Sequence, residues 1–221
     1  RLRRRLHSRR ADAALRRYFA AQERAEHALF AAEVAELQAF ALVSPQPVHP
    51  AEVNEPAFIA QMQALSPFFL LTLGGPLYKA PLLAGVRGVA LNQHAGHSPD
   101  LRGSHTTEWA LYHRDLDRVS ATVHLITSGA DAGPILRRST PCLFPGDDIH
   151  TLFARVVALG SELMIESVRQ IMAGEPVLLF PQPPGSGRTH LGQELGDILP
   201  AIQRDFAAGW LPAELQRQRQ F

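Results

Sequence analysis

Two short apolar runs, each followed at once by glycine or polar residues, constrain the fold of this chain more than any other feature. The runs cover residues 68–73, which end at Gly74-Gly75, and residues 88–91, which lead directly into Asn92-Gln93-His94. Each run has the length of a buried strand, and each follows a segment with helical character. Such alternation of helices and apolar strands favours an α/β fold, a mostly parallel sheet with flanking helices.

Helical periodicity covers most of the remaining chain. Helices are predicted where apolar residues recur every three or four positions, over 11–41 (one helix or two in series), 54–66, a short stretch ending at 83, 106–113, 149–173 and 191–209. In the first of these helices, Gln22 and Glu26 interrupt the apolar stripe. The sequence therefore predicts a helical N-terminal segment and a short helical C-terminal extension around the sheet.

Two more strands are predicted in the second half of the chain. Residues 119–127 alternate apolar and polar side chains, as a half-buried strand does, and residues 135–144 form another, in which Pro141 indicates a sheet edge. The glycine-bracketed turn SGADAGP separates them, and PQPPGSG, at 181–187, has the composition of an extended linker. In open α/β sheets ligands bind beyond the carboxyl ends of strands, so the loops after the two apolar runs are expected on one functional rim.

Length and composition predict one globular domain in a reducing compartment. A chain of 221 residues, 46% hydrophobic, can build one sizeable core. No apolar stretch approaches the roughly 18 residues that a membrane span needs, and no signal peptide is recognisable. The single Cys142 excludes an internal disulfide framework. We expect a cytoplasmic protein without a membrane partner.

Charge gives little indication of a polyanionic partner. The formal net charge is +1, although about eight arginines stand within the first 17 residues. Phosphate groups of nucleic acid or membrane could bind there, but a solvated helix face is favoured, since no aromatic residues interleave with the arginines to stack on bases. We therefore expect no nucleic acid partner.

The segment from Leu91 to Trp109 is the candidate site, and three interpretations compete for it. A metal site would use His94, His97 and His105 with Asp100, but H-x-x-H on a turning loop is a weak zinc signal, and no metal is expected. A nucleophilic mechanism would need an activated Ser98, Ser104 or Cys142, none of which has a recognisable context.

The third interpretation pairs Asn92 with His94. If the strand runs into them, residues two apart project to the same face and can reach one reacting centre. An asparagine amide can stabilise an oxyanion, and a histidine titrates near neutral pH, which together suit acyl transfer. Asp131, on the glycine-bracketed turn after a strand, is the candidate acid that orients or charges the imidazole.

At this point the chain resembles a known family. The stretches LNQHAGHSPDLRG and SATVHLITSGADAGPIL resemble the folate-dependent formyltransferases, whose motifs run N-x-H-x-S-x-x-P-x-x-R-G and G-x-D-x-G-P-I. The resemblance covers about residues 68–173 and implies a Rossmann-like sheet. The family includes the catalytic domains of the methionyl-tRNA, glycinamide ribonucleotide and amino-sugar formyltransferases.

The resemblance implies a catalytic set and two binding regions. Asn92, His94 and Asp131 fall on the family's catalytic positions, where Asn92 and a protonated His94 would stabilise the oxyanion. The co-substrate 10-formyltetrahydrofolate, with no metal, would lie against backbone groups of the residues Gly74, Gly75, Pro76, Leu77, Thr127 and Gly129. Substrate contacts are expected at His97, Arg102 and His105, although Arg102 serves equally well as a loop brace.

The chain also departs from the family pattern. Ala95-Gly96-His97-Ser98 replaces the usual proline, serine and leucines, and the family's first strand and glycine-containing loop are missing. The expected organisation is a helical segment over 1–45, the formyltransferase catalytic domain over 46–174 and an extension over 175–221, too short for the barrel of methionyl-tRNA enzymes.

The expected function is transfer of a formyl group to a primary amine, an amino sugar or another small-molecule amine. A 10-formyltetrahydrofolate hydrolase, another formyl-handling module, a non-catalytic binding protein and, last, a metal-dependent hydrolase remain alternatives. A homodimer is also allowed.

Overall fold

The computed structural model describes residues 2–40 and 45–218, and within them helices and strands alternate along the chain. The helices are α1 (Leu2–Phe40), α2 (Pro56–Leu65), α3 (Ala80–Leu83), α4 (Thr106–Tyr112), α5 (Ile149–Met172), α6 (Leu195–Ala207) and α7 (Trp210–Gln218). The strands are β1 (Phe69–Leu73), β2 (Val89–His94), β3 (Leu101–Gly103), β4 (Ala121–Leu125), β5 (Ile135–Ser139) and β6 (Arg188–His190). The expected end of the first helix at residue 41, and the side chains of residues 1–11 with most of the arginines, lie outside the described parts.

The main sheet has the strand order β1-β2-β4-β5. The pair β1–β2 is parallel, whereas β2–β4 and β4–β5 are antiparallel. The α/β class with flanking helices is confirmed, but the sheet is mixed. The segment 95–120 leaves β2 and enters β4 at the same end of the sheet, so β4 runs antiparallel to β2. The nine-residue loop 126–134 is too short for a crossover, so β5 runs antiparallel to β4. The parallel pair still brings the carboxyl ends of β1 and β2 together.

Position in the sheet explains two differences from the expected burial. Strand β1 is an edge strand with β2 as its neighbour, and Leu71 and Leu73 are 45% and 54% exposed, so the prediction of a buried first strand is wrong. Strand β4 was expected to be half-buried, yet its first four residues are all buried. Its polar residues Thr122 and His124 are covered because β4 lies between β2 and β5.

A second, two-stranded sheet closes the loop that follows β2. Strands β3 and β6 pair in parallel, with Gly103 opposite His190. The predicted linker at 181–187 is therefore held at both ends, since Phe180 also forms a bridge with Ile135. This pairing joins residues that are far apart in the chain, and no local pattern indicates it.

The main hydrophobic cluster is built from α1, α4, α5, α6 and α7 together. Tyr18 of α1 is 2% exposed within it, beside Leu152 of α5 and Ile202 of α6. Asp148 caps the N-terminus of helix α5, and its side chain accepts from the backbone N–H of Thr151. The N-terminal helix and the C-terminal helices thus pack on one core. No helix in the described ranges combines the length and the apolar character needed to cross a membrane.

Candidate active site

Strand register places three polar side chains side by side at one end of the main sheet. Asn92 of β2 lies between Thr72 of β1 and His124 of β4. The hydroxyl of Thr72 donates to Oδ1 of Asn92 at 2.8 Å, and Nδ2 of Asn92 lies 3.1 Å from Nε2 of His124. Since β2 continues for two residues, His94 projects on the same side of the sheet as Asn92.

Asp131 joins this row from the loop between β4 and β5. Its backbone is left-handed, with φ of 47°, a conformation that aspartate tolerates better than most residues. One carboxylate oxygen, Oδ1, accepts from Asn92 at 3.1 Å and lies 3.3 Å from Nε2 of His124. The other, Oδ2, accepts from the backbone N–H of Gly103 at 2.8 Å and lies 3.4 Å from Nδ1 of His94.

These contacts keep Asp131 ionised. Burial by itself raises the pKa of this carboxyl, but its contacts with the imidazoles of His124 and His94 and with the N–H of Gly103 together outweigh burial and lower the pKa to about 2. Asp131 is therefore a buried, ionised carboxylate at neutral pH.

His94 is held as a neutral imidazole. Its Nε2 lies 3.0 Å from the carbonyl oxygen of Leu101, which can only accept, so Nε2 carries a hydrogen. Burial lowers the pKa of His94 from its ordinary 6.5, although the negative charge of Asp131 opposes this effect. The lowered pKa favours a neutral resting ring, and a protonated His94 during the reaction, as the resemblance implies, stays a prediction.

Asn92 has no free amide hydrogen in this arrangement. One hydrogen goes to Asp131 and the other to Nε2 of His124. The latter nitrogen accepts because Nδ1 of His124 donates to the carbonyl oxygen of Leu125 at 2.8 Å. An oxyanion that binds to Asn92 must therefore displace one of these two partners.

Two glycines let the chain approach the site closely. Gly103 has φ of 85°, and a Cβ there would lie 2.2 Å from the carbonyl oxygen of His190. A Cβ on Gly96 would lie 2.3 Å from the hydroxyl of Thr106 and 2.4 Å from Nε2 of His94. Side chains at these positions would push the N–H that binds Asp131, or the imidazole itself, out of place.

The cluster opens into a cavity of about 620 Å³. All residues predicted to bind the co-substrate line it: Gly74, Gly75, Pro76, Leu77, Thr127 and Gly129. His105 also lines it, whereas His97 and Arg102 do not. His97 lies 3.1 Å from the hydroxyl of Ser120, and Arg102 donates to the carbonyl oxygen of Ser186, so both hold loops rather than line the cavity.

The three histidines of the loop segment do not converge. His94 contacts Asp131 and Leu101, His97 contacts Ser120, and the ring of His105 lies 5.8 Å from that of Phe19. Across the described part of the chain, no group of three His, Cys, Asp or Glu side chains has the arrangement of a metal site.

Sequence reasoning missed several residues of the site. His124 and Thr72 flank Asn92, and Gln182 donates to the carbonyl oxygens of Asp131 and Gly133 at 2.8 and 2.7 Å. A histidine within an apolar strand was a usable signal for His124. Gln182 carried no such signal, because it belongs to the segment interpreted as a linker.

Comparison with known proteins agrees with this architecture. A family model described as formyl transferase matches residues 15–168. The methionyl-tRNA formyltransferase of Trichlorobacter lovleyi is 33% identical over 134 residues, which are 59% of this chain and 42% of that protein. The chain thus spans less than half the length of the curated relatives it matches.

Solved structures show the same fold. A formyltransferase from Anoxybacillus kamchatkensis, in complex with UDP-4,6-dideoxy-4-formamido-L-AltNAc and tetrahydrofolate, is 24% identical, with a TM-score of 0.50 over 59% of this chain and 68% of its own. A 4-N formyltransferase from Francisella tularensis is 16% identical, with a TM-score of 0.55 over 76% of this chain and 62% of its own. At these identities the likeness concerns the fold alone.

Proposed function

Because the chain belongs to the formyl transferase family, we propose that it transfers the formyl group of 10-formyltetrahydrofolate to a primary amine. The observation that carries the proposal is that Asp131 contacts both Asn92 and His94 where these residues line a cavity. A buried carboxylate, a neutral imidazole and an amide at one point are the groups that acyl transfer to an amine requires.

The reaction forms one carbon–nitrogen bond and breaks another. The amine nitrogen attacks the formyl carbon, and the carbonyl electron pair moves to oxygen. When the pair returns, the bond to N10 of the folate breaks, and N10 takes up the proton that the amine loses. For an amine counted in its neutral form, the products are a formamide and tetrahydrofolate, with no net change in protons.

Each member of the cluster has a distinct role in this proposal. Asn92 donates to the oxyanion the amide hydrogen that it donates to His124 in the resting site. It gives up this bond because the bond to His124 is neutral and therefore weaker than the charge-assisted bond to Asp131. Neutral His94 accepts the proton of the amine through water and becomes an ion pair with Asp131, 3.4 Å away. The same proton then passes to N10 as the carbon–nitrogen bond breaks.

The co-substrate fits the cavity by size and by the character of its walls. A volume of about 620 Å³ is in the range of small-molecule sites. Gly74 and Gly75, with φ of 65° and 98°, line the cavity beside β1. Because glycine has no side chain, a ligand there meets their backbone groups. We place the folate ring system against these residues and against the segment Thr127 to Gly129.

The acceptor is proposed to be a small-molecule amine, with an amino sugar as the first candidate. One of the two solved structures with the same fold carries a formamido sugar nucleotide, whereas the curated relatives are methionyl-tRNA formyltransferases. We favour the small molecule because the site is a cavity of limited volume. The free, exposed Cys142 suits the reducing cytoplasm, which we propose as the compartment.

The proposal is tested by mixing the chain with 10-formyltetrahydrofolate and glucosamine and following the release of tetrahydrofolate. Release should depend on the amine, and His94→Ala should slow it by about a hundredfold or more. His113→Ala, which replaces an exposed histidine at the end of α4, is the matched control and should keep the wild-type rate. A loss of activity in this control would mean that the assay reports folding. Equal release without any amine would support a hydrolase instead.

A further inference from the structure

Helix α1 presents a polar pair to the same cavity that holds Asn92, His94 and Asp131. Tyr18, Gln22 and Glu26 are spaced four residues apart, so they form one stripe along the helix. Tyr18 is buried in the core, while Gln22 and Glu26 line the cavity. The two residues that interrupt the apolar stripe of α1 are therefore the two that reach the site.

The contacts of Tyr18 and Phe19 hold this part of α1 in place. The hydroxyl of Tyr18 donates to the buried carboxylate of Glu108 on α4, and its ring lies 4.9 Å from that of His150 on α5. Phe19 lies 5.8 Å from the ring of His105, which itself lines the cavity. Gln22 and Glu26 thus stand one and two turns beyond a fixed anchor.

The polar pair leaves binding capacity for a ligand. Nε2 of Gln22 donates to Oε1 of Glu26 at 3.1 Å, which orients the carboxylate. Within the described chain, Oε2 of Glu26 makes no hydrogen bond, and Oε1 of Gln22 is buried without a partner. The carboxylate oxygen of Glu26 is an acceptor, so the ligand group that binds it is a donor.

The charges of the cavity narrow the class of ligand. Two carboxylates, Glu26 and Asp131, line it, and among the lining residues that the structure describes there is neither lysine nor arginine. A phosphate placed here would meet like charges and neither a lysine nor an arginine, whereas an ammonium group would find a charge-assisted hydrogen bond.

We propose that Glu26, oriented by Gln22, binds the acceptor amine in its ammonium form, which releases one proton to solvent before its nitrogen attacks, and so selects a cationic amine that carries no phosphate inside this cavity. The inference rests on the proposed function, which it deepens by naming the acceptor's charge and its partner. Hydrogen bonds to charged groups are worth about 1.5–3 kcal/mol, which corresponds to roughly a ten- to hundredfold difference in affinity.

Calorimetric titration in the presence of tetrahydrofolate tests the proposal without any turnover. The test compounds are glucosamine, N-acetylglucosamine, which lacks the charge, and glucosamine 6-phosphate, which adds an anion. The wild type should bind glucosamine roughly ten- to hundredfold more tightly than either of the others. Glu26→Gln should remove this preference, while Glu23→Gln, at an exposed position of the same helix, should keep it.

Three results would overturn the proposal: equal or tighter binding of the phosphorylated compound, an unchanged preference in Glu26→Gln, or no binding of glucosamine. Formyl transfer measured on the same samples is a separate readout. If glucosamine binds through Glu26 but no formyl group is transferred, the proposed function fails and the assignment of Glu26 stands. If formyl transfer proceeds unchanged in Glu26→Gln, the proposed function stands and the assignment fails.

Discussion

Replacement of Asp131 by asparagine is the most direct test of the proposed site. The substitution keeps the shape of the side chain but removes its charge, and an amide cannot accept on both sides. Asp131 now accepts from Asn92 with one oxygen and from the N–H of Gly103 with the other. In Asp131→Asn the amide nitrogen must face one of these donors, so one hydrogen bond is lost and two donors oppose each other.

The expected magnitude follows from the geometry. Opposite charges 3.4 Å apart, as between Nδ1 of His94 and Oδ2 of Asp131, interact by about 1 kcal/mol in water and about 5 kcal/mol at an effective dielectric of 20. The side chain of Asp131 is only 14% exposed, which favours the upper value. Since about 1.4 kcal/mol corresponds to a tenfold change in rate, Asp131→Asn should lower kcat by about a thousandfold.

The assay is amine-dependent release of tetrahydrofolate over a range of pH. Besides the lower kcat, the pKa of His94 should fall further in Asp131→Asn, because the charge that opposes the effect of burial is gone. The acidic limb of the rate profile should therefore shift to lower pH. Asp100→Asn, which changes a carboxylate in the loop between β2 and β3 that pairs with Arg118 on the surface, is the control and should leave both properties unchanged. A folded Asp131→Asn variant within tenfold of wild-type kcat would refute the reasoning.

Three further predictions concern stability and the local fit of the site. The pKa of Asp131 is lowered from 3.8 to about 2, so its ionised form adds about 2 kcal/mol to the free energy of unfolding above pH 4, and this contribution is lost as the pH falls to 2. In denaturant titrations, the free energy of unfolding of Asp131→Asn should therefore decrease less on acidification than that of the wild type. Gly96→Ala should displace His94 and reduce kcat at least about tenfold while costing about 1–3 kcal/mol of stability by overpacking; unchanged kcat would contradict the contact. Tyr18→Phe should cost about 1–3 kcal/mol in urea unfolding, because Glu108 loses its buried donor; an unaltered midpoint would argue against that bond.

Local patterns were sufficient for the part of the site that lies within one strand. Asn92 and His94 could be paired because side chains two residues apart on a strand share a face, and the apolar run before them indicated the strand. Asp131 could be chosen because a glycine-bracketed turn after a strand was visible, and the resemblance supported it. The helices were predicted well where their apolar stripe is long, as in α5.

What the sequence could not provide was the neighbourhood of these residues across the chain. The position of His124 beside Asn92 depends on the path of residues 95–120, which returns β4 antiparallel to β2. The N–H of Gly103 reaches Asp131 because β3 pairs with β6, about 85 residues further along the chain. Burial is also a tertiary property, so that a strand as apolar as β1 can stand at the edge of the sheet with one face exposed.

The central claim is that the formyl group passes to an amine at the cluster of Asn92, His94 and Asp131. The most direct measurement uses 10-formyltetrahydrofolate labelled with ¹³C in the formyl group and follows the label by NMR with glucosamine present. The account predicts one N-formyl product for each tetrahydrofolate formed with the wild type, and formation of both products slowed by about a hundredfold or more in His94→Ala. Label released as formate, or transferred undiminished by His94→Ala, would contradict it.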